Sequence, residues 1–291
     1  MKKILITGAN SYIGTSFEDY IKNNFPDEYV VDTVDMIDGS WREKDFRPYD
    51  AILHMAGLVH QSQSKNDPVQ AELYDRVNHR LAVETARKAK EEGVRQFLFM
   101  SSASVYGLDA PVGQVIRITE DTPLNPKDNY GISKKNAEEG LQKLQNEQFK
   151  VAILRPPMVY GKGCKGNYRT MSNLARKLPV FPKVENQRSV LYVENLAEFI
   201  RLLIDDEAVG IFCPQNNEFV NTSDMVNLIA HAHGRGVLLL GGFTWALKLL
   251  SKVTGMVDKA FGSLYYDVSL SRYSSDYCVK DLQESILETE Q

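Results

Sequence analysis

Five short apolar runs punctuate the first half of the chain: Ile4–Thr7, Tyr29–Asp35, Ala51–Met55, Gln96–Met100 and Val151–Leu154. Stretches with helical spacing lie between them, over Tyr12–Asn23, 69–92 and 130–147. Strands that are apolar on both faces and alternate with helices predict a parallel sheet covered on two sides. That doubly wound α/β arrangement binds ligands outside the carboxyl ends of its strands. After about residue 160 the rhythm breaks. The helix at 192–204 and the strand of GIFCP return to the sheet, and the remaining chain forms a smaller lobe. The expected division is a Rossmann domain over 1–160, rejoined by 189–213, with 161–188 and 214–291 as a substrate-binding lobe.

Residues 7–14 read TGANSYIG and join the first strand to the first helix. Gly8 permits the sharp turn, and Gly14 lets the helix lie close on the strand. The middle position, where a backbone approaches pyrophosphate, is Ser11. A serine is small and can offer a hydroxyl to phosphate. Gly8, Asn10, Ser11, Tyr12, Ile13 and Gly14 are therefore the candidate phosphate-binding set, and the strand–turn–helix context supports them. A carboxylate ending the second strand would hold the adenosine ribose. Asp35 is the first choice and Asp38 the second. Met36 and Ile37 between them offer no cation for a 2′-phosphate, which favours NAD and leaves NADP as the alternative.

YGISK places Tyr130 and Lys134 four residues apart on one helix face. A phenol titrating near pH ~10 is a poor base at neutral pH. A nearby ammonium favours phenolate and lowers that value. SSASVYG stands at the end of the fourth strand, and its Ser102 is placed to hydrogen-bond the same substrate oxygen that Tyr130 would protonate or deprotonate.

Several motifs run in one order from residue 3 to about 213: TGANSYIG, DAILHMAG, Val77-Asn78, MSSASVYG, TEDTPLNPKDNYGISK, LRPPMVYG and RSVLYVENLA. With them the chain resembles the extended short-chain dehydrogenase/reductase family, its sugar-nucleotide epimerases, dehydratases and ketoreductases. The resemblance implies a nicotinamide cofactor along the sheet's carboxyl edge and a nucleoside-diphosphate sugar, UDP-linked, in the small lobe. It implies catalytic roles for Ser102, Tyr130 and Lys134, with the last two also touching the cofactor. Ala56, Gly57 and Asn78 would line that cofactor, and Arg155-Pro156-Pro157 would pass the nicotinamide. Arg188 matches an arginine that holds the diphosphate in similar proteins. Met158 stands where they often carry an asparagine, and Asn167 is the candidate substitute. The resemblance also implies a homodimer.

Ala103-Ser104 occupies the place where similar 4,6-dehydratases carry Asp-Glu, so dehydration lacks its proton-transfer groups. Small and hydroxyl residues there suit epimerases, with Ser104 as a substrate contact. A 4-epimerase and an NAD(P)H-dependent 4-ketoreductase of a UDP-4-keto-6-deoxy sugar from capsule or O-antigen synthesis both fit. A non-catalytic dinucleotide sensor is the remote alternative, opposed by the retained Ser102, Tyr130 and Lys134.

The net charge of −4 offers no footprint for nucleic acid. Three dispersed cysteines, Cys164, Cys213 and Cys278, suit a reducing cytoplasm and form no metal motif. The strand at the very start leaves no room for a signal peptide. His231-x-His233 reads as helix surface, His79 likewise, and His54 as a core histidine. The apolar stretch 237–257 is interrupted by Lys248 and Lys252 and is too broken to span a membrane. It reads as a buried loop and helix or, because Trp245, Leu249 and Val253 share a helical face, as a docking surface.

Overall fold

The computed structural model describes residues 1–59 and 67–291. In chain order its first part runs β1 (Lys2–Thr7), α1 (Tyr12–Asn24), β2 (Tyr29–Val34), β3 (Ala51–His54), α2 (Pro68–Tyr74), α3 (Leu81–Glu91), β4 (Gln96–Met100), β5 (Val115–Ile118), α4 (Asn129–Gln142) and β6 (Lys150–Leu154). The chain continues through β7 (Met158–Tyr160), α5 (Asn167–Lys177), β8 (Val180–Pro182), β9 (Val190–Tyr192), α6 (Val193–Asp205), β10 (Gly210–Phe212), α7 (Thr222–Ala232) and β11 (Leu238–Leu240). It ends with α8 (Thr244–Ser251), α9 (Met256–Phe261), β12 (Ser263–Tyr266), α10 (Val268–Ser271) and α11 (Leu282–Glu290).

Contacts divide the chain into two units. The first comprises 1–107, 123–156 and 197–213; the second comprises 108–122, 157–196 and 214–291. The first unit holds the predicted sheet, six parallel strands in the order β10-β6-β4-β3-β1-β2. The central strands β3 and β4 are buried along their whole length, which is why their sequences are apolar without alternation. Phe97, Phe99, Phe149 and Ile153 pack with Ala82, Ala86 and Ala89 of α3 and Ala137 of α4 in one core cluster. From β1 the chain steps outward to β2, then returns to β3 on the other side. That reversal opens a crevice at the carboxyl ends of β1 and β3, where the TGANSYIG turn lies.

Two helices differ from their sequence periodicity. The 69–92 stretch is α2 and α3 joined by a π-helical turn over Asp75–Arg80. The 130–147 helix stops at Gln142, because Asn146 Oδ1 accepts from the Gln148 and Phe149 N–H groups and bends the chain into β6. In the second unit, β5 pairs with β12, β7 with β9 and β8 with β11, each parallel.

His54 ends β3 with 1% of its surface exposed, stacked on Phe97 and Phe99. Its Nδ1 shares a 2.7 Å hydrogen bond with Thr7 Oγ1. Burial, reinforced by the Lys134 charge, pulls its pKa down to about 3. Below the unfolded value of about 6.5 the unfolded chain takes a proton that the folded one refuses, so stability falls with pH in that range. Between pH 7 and pH 4.5, thermal melts should show His54→Leu losing about 2 kcal/mol less stability than wild type. Parallel losses in both would assign the acid sensitivity to other groups.

Candidate active site

The turn after β1 has the shape the sequence predicts. Gly8 sits at φ +102°, and a Cβ there would lie 2.5 Å from the Ala56 nitrogen, so only glycine lets the two strand ends approach. Asn10 takes the left-handed conformation at φ 63°. Ser11 caps α1 with its backbone, but its side chain makes no capping bond, and its Oγ is buried without a hydrogen-bond partner among the described residues. Tyr12 and Ile13 open the helix, and Gly14 is buried beneath them. The first turn of α1 carries no acidic residue. A helix start with uncapped N–H groups, an orphaned hydroxyl and a glycine-only approach fits a pyrophosphate.

A cavity of about 840 Å³ opens from this turn. Gly8, Asn10, Ser11, Asp35, Ala56 and Gly57 line it, and so does Asp38. Asp35 and Asp38 are exposed at its rim, each accepting a bond from a backbone N–H two residues on. The wall also holds Trp41, Arg42, Arg76, Arg80 and Glu84, which the sequence reading missed. Arg42 qualifies the argument for NAD: a cation does reach the cavity, from a short helical turn over Ser40–Arg42 beyond Asp38. Its guanidinium lies 4.6 Å over the Trp41 ring and grips Glu84 through two bonds of 2.6 and 2.8 Å. The cation is thereby already paired within the chain.

Tyr12, Ile13, Gly14, Asn78, Tyr130, Lys134 and Pro156 do not line that cavity. Asn78 is fully buried in the π-helical turn. Its Oδ1 accepts from the Leu58 N–H at 2.7 Å, and its Nδ2 donates to the Leu58 carbonyl and to Ser133 Oγ. Asn78 therefore pins the loop after β3 to α4.

On α4, Asp128 caps the helix by accepting the Gly131 N–H at 2.8 Å. Gly131 is required by close approach: a Cβ there would sit 2.6 Å from the Ser104 carbonyl oxygen. That contact brings the helix onto the loop after β4. Ser102 hydrogen-bonds the Tyr130 phenol, and its Oγ also meets the Ser104 hydroxyl at 3.2 Å. Lys134 is buried, its Nζ donating to the Met100 carbonyl at 2.8 Å and lying 5.9 Å from the Tyr130 ring centre. The predicted Ser102, Tyr130 and Lys134 thus come together, with Gly57 beside the ammonium.

Their protonation differs from the simple ammonium–phenolate picture. Burial is the largest influence on Tyr130 and pushes its pKa up to about 12, against the lowering hydrogen bond from Ser102. Burial pulls Lys134 down to about 8, against the opposing charge of Glu138. In the protein alone the phenol is a proton donor.

Behind the constellation lies a buried network that sequence patterning did not announce. Glu138, one turn beyond Lys134, accepts from Arg155 Nη2 at 2.5 Å and Nε at 3.0 Å, and also from Ser101 Oγ. Arg155 Nη1 donates to the Tyr106 hydroxyl at 3.0 Å. Next to it, buried Pro156 accepts the Ala103 N–H at 3.1 Å. The remaining candidates lie in the second unit. Asn167 is exposed at the first position of α5. Arg188 donates to the Gly262 carbonyl at 2.9 Å, and burial lowers its pKa. Among the described residues no cluster of His, Cys, Asp or Glu could hold a metal.

A dinucleotide-shaped crevice beside a Ser, Tyr and Lys constellation defines an oxidoreductase-type site on a doubly wound sheet. The chain belongs to the NAD dependent epimerase/dehydratase family, whose model matches residues 4–212. It is thus an NAD(P)-dependent enzyme of the extended short-chain dehydrogenase/reductase type. It is 30% identical to a UDP-glucose 4-epimerase of Vibrio cholerae over 315 residues, covering 100% of this chain and 95% of that protein. It is 25% identical to an N-acetyl-alpha-D-glucosaminyl-diphospho-ditrans,octacis-undecaprenol 4-epimerase of Escherichia coli O157:H7, covering 87% of this chain and 81% of the relative. In fold it matches a UDP-N-acetylglucosamine 4-epimerase from Bacillus cereus with a TM-score of 0.73 at 17% identity, over 100% of this chain and 98% of the other.

The Glu138 carboxylate has 2% of its side chain exposed. Glu138→Ala would strand Arg155 as a buried unpaired charge and should cost about 3–5 kcal/mol in denaturant titrations. Glu138→Gln, which keeps an acceptor, should lose less. Equal small losses in both would show that the pair is dispensable.

Proposed function

We propose that the protein is a sugar-nucleotide 4-epimerase acting on a UDP-hexose or UDP-N-acetylhexosamine. The carrying observation is the Ser102–Tyr130–Lys134 constellation followed by Ala103-Ser104, which offers no carboxylate for dehydration. Bound NAD supplies the acceptor, and later the donor, of the C4 hydride. Tyr130 takes the C4 hydroxyl proton and returns it to the same oxygen, Ser102 hydrogen-bonds that oxygen, and Lys134 supplies nearby positive charge. The cradle of Gly8, Asn10, Ser11 and the α1 N-terminus holds the pyrophosphate in this reading, with Asp35 on the ribose. Tyr12, Ile13 and Gly14 shape the cradle, and Ala56, Gly57 and Pro156 border the cofactor. Asn78 acts on it through Leu58. Ser104, Asn167 and Arg188 are assigned to the sugar nucleotide. The V. cholerae relative, matched over nearly its whole length, supports UDP-glucose as the first substrate to try.

One observation favours a second reading, a 4-ketoreductase. A phenol held at about 12 is protonated at neutral pH and suited to giving a proton to a ketone oxygen. Cofactor retention separates the two, because an epimerase regenerates its NAD while a reductase exchanges it each turn. Denaturing freshly purified protein should release near-stoichiometric NAD or NADH, measured by chromatography. An empty site, with NADH or NADPH consumed on 4-keto sugar nucleotides, would favour the reductase. In either reaction Tyr130→Phe should lower kcat by about 10²–10⁴-fold and leave dinucleotide affinity within a few-fold by calorimetry. Wild-type turnover in that variant would remove the proposed chemistry.

A further inference from the structure

The chemistry above leaves one surface unexplained. In α8, Leu247 is buried and packs with Val112, Val184 and Val257. At about 100° per residue, Trp245, Leu249 and Val253 point away from that anchor, the last through a helical turn that continues past Ser251 and is closed by the Val253 N–H to Leu250 carbonyl bond of 2.9 Å. Their exposures are 69%, 60% and 83%. Phe243 and Leu250 beside them are 46% and 49% exposed. Single exposed apolar residues are ordinary, but five within residues 243–253 form a patch that wants a partner. The first of the two sequence readings of 237–257, a buried segment, therefore holds among the described residues for Val237, Leu247 and Val257 alone.

Lys248 and Lys252 lie on the adjoining stripe, both exposed, and among the described residues no carboxylate pairs with either. Residues 225–257 contain Arg235, Lys248 and Lys252 and no Asp or Glu, in a chain whose net charge is −4. We propose that this face docks on an anionic lipid bilayer, with Trp245, Leu249 and Val253 entering the interface and Lys248 and Lys252 meeting headgroups. Tryptophan suits that boundary because its ring is apolar and its N–H polar. A second copy of the chain is a poorer occupant: a twofold contact through this face would set the same two lysines against each other. The helix is far too short to cross a bilayer, and among the described residues no helix is long and apolar enough to do so.

The chain reports on its own docking. It has two tryptophans, and the other, Trp41, is 1% exposed, so a change of solvent at Trp245 dominates any vesicle-induced emission shift. Full-length protein would be mixed with equimolar phosphatidylcholine and phosphatidylglycerol vesicles, or with phosphatidylcholine alone. We expect co-sedimentation and a blue shift with the anionic vesicles, weakened by salt. The triple change Trp245→Ser, Leu249→Ser, Val253→Ser should reduce binding by about tenfold or more, with circular dichroism and turnover of a soluble sugar nucleotide unchanged. Lys248→Glu with Lys252→Glu should remove the preference for anionic vesicles. No sedimentation and no shift with wild type would overturn the proposal. So would a wild-type dimer in analytical ultracentrifugation that the triple variant turns into monomer, which would assign the face to self-association.

Discussion

The buried pairing of Glu138 with Arg155 sits where three parts of the site meet. Glu138 belongs to the helix that carries Tyr130 and Lys134, and Arg155 directly follows β6 at the sheet's carboxyl edge. Through Tyr106 the guanidinium also reaches the loop that follows Ser102. Two charges taken out of water are costly, and replacing such a pair with apolar residues is often neutral or stabilising. Its value here is geometric. A carboxylate and a guanidinium accept few relative orientations, so the pair fixes the rotation of α4 about its axis. That rotation decides whether the phenol of Tyr130 faces Ser102. The same carboxylate opposes the loss of charge on Lys134 that burial would otherwise impose. One buried acid thus positions the helix that carries Tyr130 and Lys134 and opposes the fall in the Lys134 pKa.

Burial acts on the two titrating groups in opposite numerical directions but toward one chemical result. It raises the phenol and lowers the ammonium, so each is drawn toward its neutral form. On its own the chain therefore keeps the proton on the Tyr130 phenol and eases the proton off the Lys134 ammonium. A step that begins by removing a proton needs the phenol ionised first, which burial opposes. A step that begins by giving one does not. Whether a protein built on this frame runs a reversible oxidation or a one-way reduction then depends on what occupies the crevice.

The central strands of the first unit were legible because burial on both faces demands apolar runs, and the turn after β1 because close approach demands Gly8. That Tyr130 and Lys134 share a face of α4 was legible from their spacing. Other features leave no periodic trace. The π-helical turn around Asn78 looks like helix in sequence, since its apolar positions shift by only one residue. Arg42 reaches the cavity through a short helical turn, and nothing local pairs it with Glu84 across 42 positions. Glu138 reads as one more charge on an amphipathic helix, and only β6 reveals that it faces inward. Trp245 and its neighbours have core-like composition, and composition alone cannot say which side of a helix finds a partner.

The second unit solves a different problem. Its β-pairs are two-stranded and parallel, joined through long connections, so backbone pairing alone gives them little stability. Buried amides do the fastening. Asn216, 3% exposed, accepts from the Tyr192 N–H and from Asn195, donates to the Tyr160 hydroxyl, and bonds the Val190 carbonyl through its backbone. Asn186 does similar work between Thr222 and the Gly262 carbonyl, the same carbonyl that accepts from Arg188. A polar network with its donors and acceptors matched specifies one arrangement of short segments, because any slip leaves a buried group unpaired. The loops between those segments carry no such obligation. A change in those loops can therefore leave undisturbed the frame that holds Arg188.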